Sequence, residues 1–294
     1  KDKARESWNK VSLLDPGNIT AARKIVSYDY EGLEQIEHTY KILEDCESAE
    51  DSVQIYEDIH EELKEYGMYK EALNVWKKYD KIRQSYTPFL MYAFDNVWVP
   101  IMYAEAGMMD EALELMDEYD NLYNEGMDWM LLIAKMALSA MEEDGENAEK
   151  YLNEFIEEAT KSGAEVIIDM AVMQNGFDSR VAILNKDYDK AIELMGENRF
   201  NWYDSMQSVL SEAYRLKGNL DKSKEIIEKM CDDGDHCSKD AQYEAALVYY
   251  ELGEYEKARG YLNGYLDHYK HADATFQPLV EAKETLEKWD AAGN

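Results

Sequence analysis

The densest gathering of reactive side chains is Cys231-Asp232-Asp233-Gly234-Asp235-His236-Cys237. Three readings of it stay open. The run can be a loop between helices, since Asp and Gly are turn formers. It can carry a Cys231–Cys237 disulfide that staples the loop, if the chain is exported. It can hold a metal through Asp233, Asp235 and His236, the weakest of the three. Five residues between the thiols do not match a zinc knuckle. Asp-Asp-Gly-Asp lacks the alternating ligands of a calcium loop. Elsewhere the five His (His38, His60, His236, His268, His271) form no His-Glu-x-x-His pair, and no Gly-rich phosphate loop follows a strand. Cys46 reads as a small apolar residue. With 63 acidic residues, any chosen pair of carboxylates is uninformative. No convergent nucleophile, base and orienting group emerges, so the expectation is a non-catalytic protein with no cofactor.

The elements that carry these residues are set by composition and pattern. The 294 residues include 31 Lys plus Arg against 63 Asp plus Glu, a formal net charge of −32. Such a surface repels nucleic-acid phosphates and anionic membranes. Apolar residues at 46% and aromatics at 12%, with 23 Tyr and 6 Trp, bury too much surface for a disordered chain. No apolar run is long enough to span a bilayer. Four Pro and 15 Gly are few for an all-β protein. Three Cys make no disulfide framework. The chain opens on Lys1 without an apolar leader, and its compartment is not written in these residues. The cytoplasm is expected, with an exported or periplasmic place as the alternative.

A short pattern recurs: a Gly, a large residue two later and a small residue five later. It reads Gly67-Met-Tyr69-Lys-Glu-Ala72, Gly107-Met-Met109-Asp-Glu-Ala112, Gly218-Asn-Leu220-Asp-Lys-Ser223 and Gly253-Glu-Tyr255-Glu-Lys-Ala258. Lys186-Asp-Tyr188-Asp-Lys-Ala191 matches with Lys in place of Gly, and Asp144-Gly-Glu-Asn-Ala148 reads as a shortened copy. The small residues lie 40, 36, 43, 32 and 35 positions apart. Apolar residues at spacings of three and four flank each copy, as one-sided helices require. Around Gly253 these are Tyr243, Ala246, Leu247 and Tyr250 before it, and Ala258, Leu262, Tyr265 and Tyr269 after it. Gly ends the first helix in a left-handed residue, and the small side chain lets the second helix close on the first.

Gly253, Tyr255, Ala258, Leu262 and Tyr265, with Gly67, Tyr69, Ala72, Trp76 and Tyr79, resemble the tetratricopeptide repeat family over nearly the whole chain. The resemblance implies an all-α fold: one solenoid over 1–294, an α–α right-handed superhelix of about six to seven antiparallel helical hairpins. Residues 1–18 would be a partial repeat or cap, 19–274 the hairpins and 275–290 a C-terminal capping helix. Leu14-Asp-Pro-Gly-Asn18 looks like the close of another unit, so a longer parent protein is expected. Spacings away from 34 place longer helices or loops near 85–105 and 160–185. Thr87-Pro88 reads as a helix start, and Pro100 as a kink inside a helix over 89–106.

The family lines its concave face with first helices. Here those stretches are nearly uncharged: 88–104 carries only Asp95, 129–141 only Lys135, and 166–177 only Asp169. Residues 101–150 hold 14 acids and 2 bases. The expectation is an apolar, acid-rimmed groove lined by Phe94, Trp98, Met130, Ile133, Met173, Phe177, Arg180, Ser208, Arg215 and Tyr243. The competing reading is that winding fills the groove with these same side chains. The family's peptide clamps use rows of Lys, Arg and Asn, which Arg180 and Arg215 alone do not supply. The implied partner is a protein or peptide segment, apolar with basic flanks. Nucleic acid and membrane insertion are excluded, and the oligomeric state is left open. A small-ligand sensing domain controlling an upstream effector is the alternative.

Overall fold

Helices account for all regular structure in the described residues of the computed structural model, which are 2–85, 97–122, 128–163, 176–196, 204–231 and 237–293. In chain order they are α1 (Asp2–Leu14), α2 (Ile19–Asp29), α3 (Gly32–Glu44), α4 (Ala49–Glu65), α5 (Tyr69–Arg83) and α6 (Val99–Glu105). Then follow α7 (Met109–Leu122), α8 (Asp128–Met141), α9 (Gly145–Lys161), α10 (Phe177–Leu184) and α11 (Tyr188–Gly196). Last come α12 (Asp204–Leu216), α13 (Leu220–Cys231), α14 (Lys239–Glu251), α15 (Tyr255–His268) and α16 (Gln277–Ala292). No strand occurs among the described residues.

Most hairpins that carry the recurring pattern are closed by the same backbone device. After α14, the Gly253 N–H donates to Tyr250 O (3.0 Å) and the Glu254 N–H to Tyr249 O (2.9 Å). This satisfies carbonyls that the helix end would otherwise leave bare. The residue at the bend is left-handed at Gly67, Gly107, Gly218 and Gly253, with φ from 69° to 84°. Two non-glycine residues adopt it as well: Lys186 (φ 60°) and Glu143 (φ 57°). Lys186 is where the pattern placed it. Glu143 corrects the shortened copy, because the bend lies one residue before Asp144 and the unit is full length. Gly145 is small for another reason: a Cβ there would stand 2.4 Å from Asn185 Oδ1.

All six small residues (Ala72, Ala112, Ala148, Ala191, Ser223, Ala258) are 0% exposed. Twelve residues earlier, on the first helix of the pair, lies another buried position. His60 Nδ1 is 3.0 Å from Ala72 O, and Ser211 Oγ is 2.7 Å from Ser223 Oγ. The second helix therefore meets the first at a spot with no room for a longer side chain. Helix starts are fixed by caps: Asn18, Ser48, Asp144 and Ser238 each accept a backbone N–H from three residues on.

The contacts divide the chain into two units. The first holds residues 1–95, 105–107 and 271–276. In it α1 to α5 pack in sequence. Ile55, Ile59, Leu63, Val75 and Tyr79 lie at its core. Arg23 of α2 forms a fork with Asp58 of α4 at 2.5 and 2.7 Å. The turn before α5 has no cap of its own; the Lys70 N–H donates instead to Asp273 Oδ2 (2.8 Å), and the Asp273 N–H to Gly67 O (3.0 Å). Phe276 stacks on Tyr69 at 5.4 Å, and Thr275 Oγ1 donates to Ala106 O.

The second unit holds 96–104, 108–270 and 277–294. In it α8/α9, α10/α11, α12/α13 and α14/α15 are paired hairpins. The first helices also pack on one another, α8 on α10, α10 on α12 and α12 on α14. Tyr249, Leu262, Ile227 and Tyr265 form the core toward its end. There α16 packs on α15, with Trp289 lying flat on Tyr250 at 4.3 Å. Pro278 occupies its first turn, as expected. Pro100 does the same in α6, after a turn at Val97–Trp98, so it starts the described helix rather than kinking it. A proline suits that place, where an N–H would have no partner. Thr87-Pro88 lies outside the described residues.

Candidate functional site

Within the second unit, the first helices α10, α12 and α14 wall a cavity of about 450 Å³, with α15 and α16 contributing its edge. Helix phase decides which side chains reach it. On α12, Ser208, Glu212 and Arg215 recur at spacings of four and three, a single stripe. On α14 the stripe is Asp240, Tyr243, Glu244 and Leu247. The first turn of α10 supplies Phe177 and Arg180, and α16 supplies Pro278 and Glu281. Tyr265 stands behind Tyr243, ring centroids 5.2 Å apart.

Polar bonds tie each first helix to the next along this wall. Arg180 Nη1 donates to Glu212 Oε2 at 2.6 Å. Arg215 grips Glu244 with two parallel bonds of 2.9 and 3.0 Å, and reaches Glu251 at 3.1 Å. Tyr243 Oη lies 3.0 Å from Thr285 Oγ1. The Arg215–Glu244 fork is nearly dry, its side chains 11% and 7% exposed. Burial pushes the Glu244 carboxyl up to about 7, against the two bonds from Arg215 that favour its ionised form. Loss of water likewise raises the carboxyl of Glu281 and the Tyr243 hydroxyl. Asp240 is exposed as a residue, yet its carboxyl loses enough water at the cavity wall to be raised too.

Of the residues expected to line a groove, Phe177, Arg180, Ser208, Arg215 and Tyr243 come together here. Ile133 does not: it is 2% exposed in α8, where no described side chain is fully exposed. The apolar character of that helix goes into the core, because it has neighbours on more than one side. Trp98 is half-buried in the turn before α6. Phe94 and Met173 lie outside the described residues, as does the side chain of Met130. So do Asp233, Asp235 and His236. Cys231 and Cys237 are placed as a bonded pair, Cα atoms 4.5 Å apart. Among the described residues no three His, Cys, Asp or Glu are grouped to hold a metal ion, and no helix is long and apolar enough to cross a membrane.

The wall differs in character from the apolar groove expected. Glu212, Asp240, Glu244 and Glu281 were not singled out in the sequence, nor was Tyr265. A signal for three of them existed, since Glu212 shares a helical stripe with Ser208 and Arg215, and Asp240 and Glu244 share one with Tyr243.

No family model matches the sequence, and no curated protein does. Among solved structures, the chain is similar to the crystal structure of a tetratricopeptide repeat protein from Parabacteroides merdae. The TM-score is 0.52 at 12% identity, covering 96% of this chain and 99% of that one. The likeness shows the fold. This chain is an all-α, tetratricopeptide-repeat-like α–α fold.

Proposed function

We propose that this chain is a non-catalytic interaction scaffold that holds a segment of a partner protein in the cavity of the second unit, as a module of a larger regulatory protein. The observation that carries this is the cavity itself, walled by the first helices of three successive hairpins. Four of its charged groups are held in the Arg180–Glu212 and Arg215–Glu244 pairs, so that part of the wall is organised before a partner arrives. Preorganisation lowers the ordering cost of binding. Selection of displayed random peptides against the chain tests the reading. Phe177→Ala and Tyr243→Ala should each weaken the selected peptides at least about tenfold, as loss of an aromatic anchor does. Peptides that bind both variants as tightly as the parent chain would place the interaction elsewhere.

A second reading is favoured by the cavity's size. About 450 Å³ falls within the range of small-molecule sites. A metabolite held there would raise the melting midpoint of the native chain and displace any selected peptide that depends on Phe177 and Tyr243.

A further inference from the structure

The cavity wall carries six charged side chains: the guanidiniums of Arg180 and Arg215, and the carboxylates of Glu212, Asp240, Glu244 and Glu281. Two of the carboxylates are neutralised locally. Glu212 is bonded to Arg180, and Glu244 holds Arg215 in a fork. Both guanidiniums are thereby engaged. Asp240, in the first turn of α14, and Glu281, the fifth residue of α16, have no ion pair among the described residues, although Arg180 acts on both through space. An excess of two negative charges is left over. Both acids are exposed side chains at the cavity edge, and their affinity for protons is raised there. Beside them stand the rings of Tyr243 and Tyr265. An aromatic face attracts a cation, and two carboxylates without an ion pair beside it add a coulombic attraction.

We propose that the cavity accepts a single cationic side chain, lysine or arginine, presented by a partner peptide segment, with Asp240 and Glu281 as its counter-charges and Tyr243, backed by Tyr265, as its aromatic wall. This rests on the reading that a peptide segment occupies the cavity. It reverses the polarity of a carboxylate clamp: the arginines here are structural, locked to glutamates, and recognition falls to the acids. The formal charge of −32 on the whole chain adds long-range attraction for such a segment. Leu247 and Phe177 offer apolar contact to the residues beside the cation.

The test uses the full chain, ¹⁵N-labelled, and three pentapeptides blocked at both ends: Ala-Leu-Lys-Leu-Ala, the same with norleucine for lysine, and the same with glutamate. The lysine peptide should shift the amides of Asp240, Tyr243 and Glu281, and bind about tenfold tighter than the norleucine peptide. The double variant Asp240→Asn, Glu281→Gln should erase that preference while its melting midpoint stays near the parent's. Equal binding of the lysine and norleucine peptides at these amides overturns the cation site and leaves the groove reading standing. Preference for the glutamate peptide overturns it as well. Absence of shifts at these amides with every peptide at millimolar concentration defeats both.

Discussion

Two glycines with the same backbone angle should respond very differently to a methyl group. Gly67 (φ 69°) and Gly253 (φ 77°) both sit at the left-handed bend of a hairpin. Replacing either by alanine forces an L-residue into that region, at about 1–2 kcal/mol. Reduced freedom of the unfolded chain returns about 0.4–1 kcal/mol of it. At Gly253 nothing lies within 4 Å of the new Cβ, so the net loss should be about 1 kcal/mol. At Gly67 the Cβ would stand 2.7 Å from Ala272 Cβ and 2.7 Å from Phe276 Cδ1. The 271–276 segment must move, which strains the Asp273–Gly67 and Lys70–Asp273 bonds and the Tyr69–Phe276 stack. Overpacking adds about 1–3 kcal/mol. Gly67→Ala should therefore cost about 2–4 kcal/mol. Urea unfolding of both variants gives the two numbers. Hydrogen exchange at the Asp273 amide gives the location, since that amide should lose protection in Gly67→Ala and keep it in Gly253→Ala. Equal destabilisation by the two changes, or an unaltered Asp273 amide in Gly67→Ala, would refute the reasoning.

The converse change at the two non-glycine bends, Lys186→Gly or Glu143→Gly, should stabilise the chain by about 0.5–1 kcal/mol in the same urea assay, by removing left-handed strain. Burial raises the folded Glu244 carboxyl above its ordinary value, so its contribution is full below the unfolded value and is lost as pH rises through the folded one. Glu244→Gln should flatten that part of the stability–pH curve, by about 3 kcal/mol at most. Burial lowers the proton affinity of His60, so its contribution is present above 6.5 and is lost as pH falls below that value. His60→Asn should lack the acid-side loss in denaturation curves run from pH 7.5 to 5. A Cys231–Cys237 disulfide leaves Cys46 as the single thiol that a colorimetric reagent counts in the unfolded, unreduced chain, and a count of three excludes the bond.

The hairpins were legible because steric demands leave sharp marks. A left-handed bend and a helix crossing without room for a Cβ branch restrict residue type, and Ala72, Ala191 and Ala258 announce both. The frame slipped once, at Asp144-Gly145. There a glycine needed for the close approach of Asn185 imitates a bend glycine, while Glu143 carries the bend. The candidate site was half legible. Helix phase alone aims Phe177, Arg180, Ser208, Arg215 and Tyr243 at one face. Its charge was hidden, because the pairing of Arg215 with Glu244, 29 residues on, depends on the stagger of adjacent hairpins, which no local pattern records. Ile133 went astray for a related reason: an apolar helix looks the same whether it faces a groove or a second layer.

The cap on α5 has a consequence for synthesis. Asp273, which satisfies the Lys70 amide, lies 203 residues further along the chain. At ribosomal rates of about 5–20 residues per second, that partner arrives about 10–40 s after the turn it completes. During this interval α4 and α5 must hold their hairpin without the Phe276 ring on Tyr69 and with the Lys70 amide open to water. The closing bonds are thus among the last that translation makes available. A pause before residue 273 would prolong the period in which another nascent chain's aromatic side chain could take the place meant for Phe276.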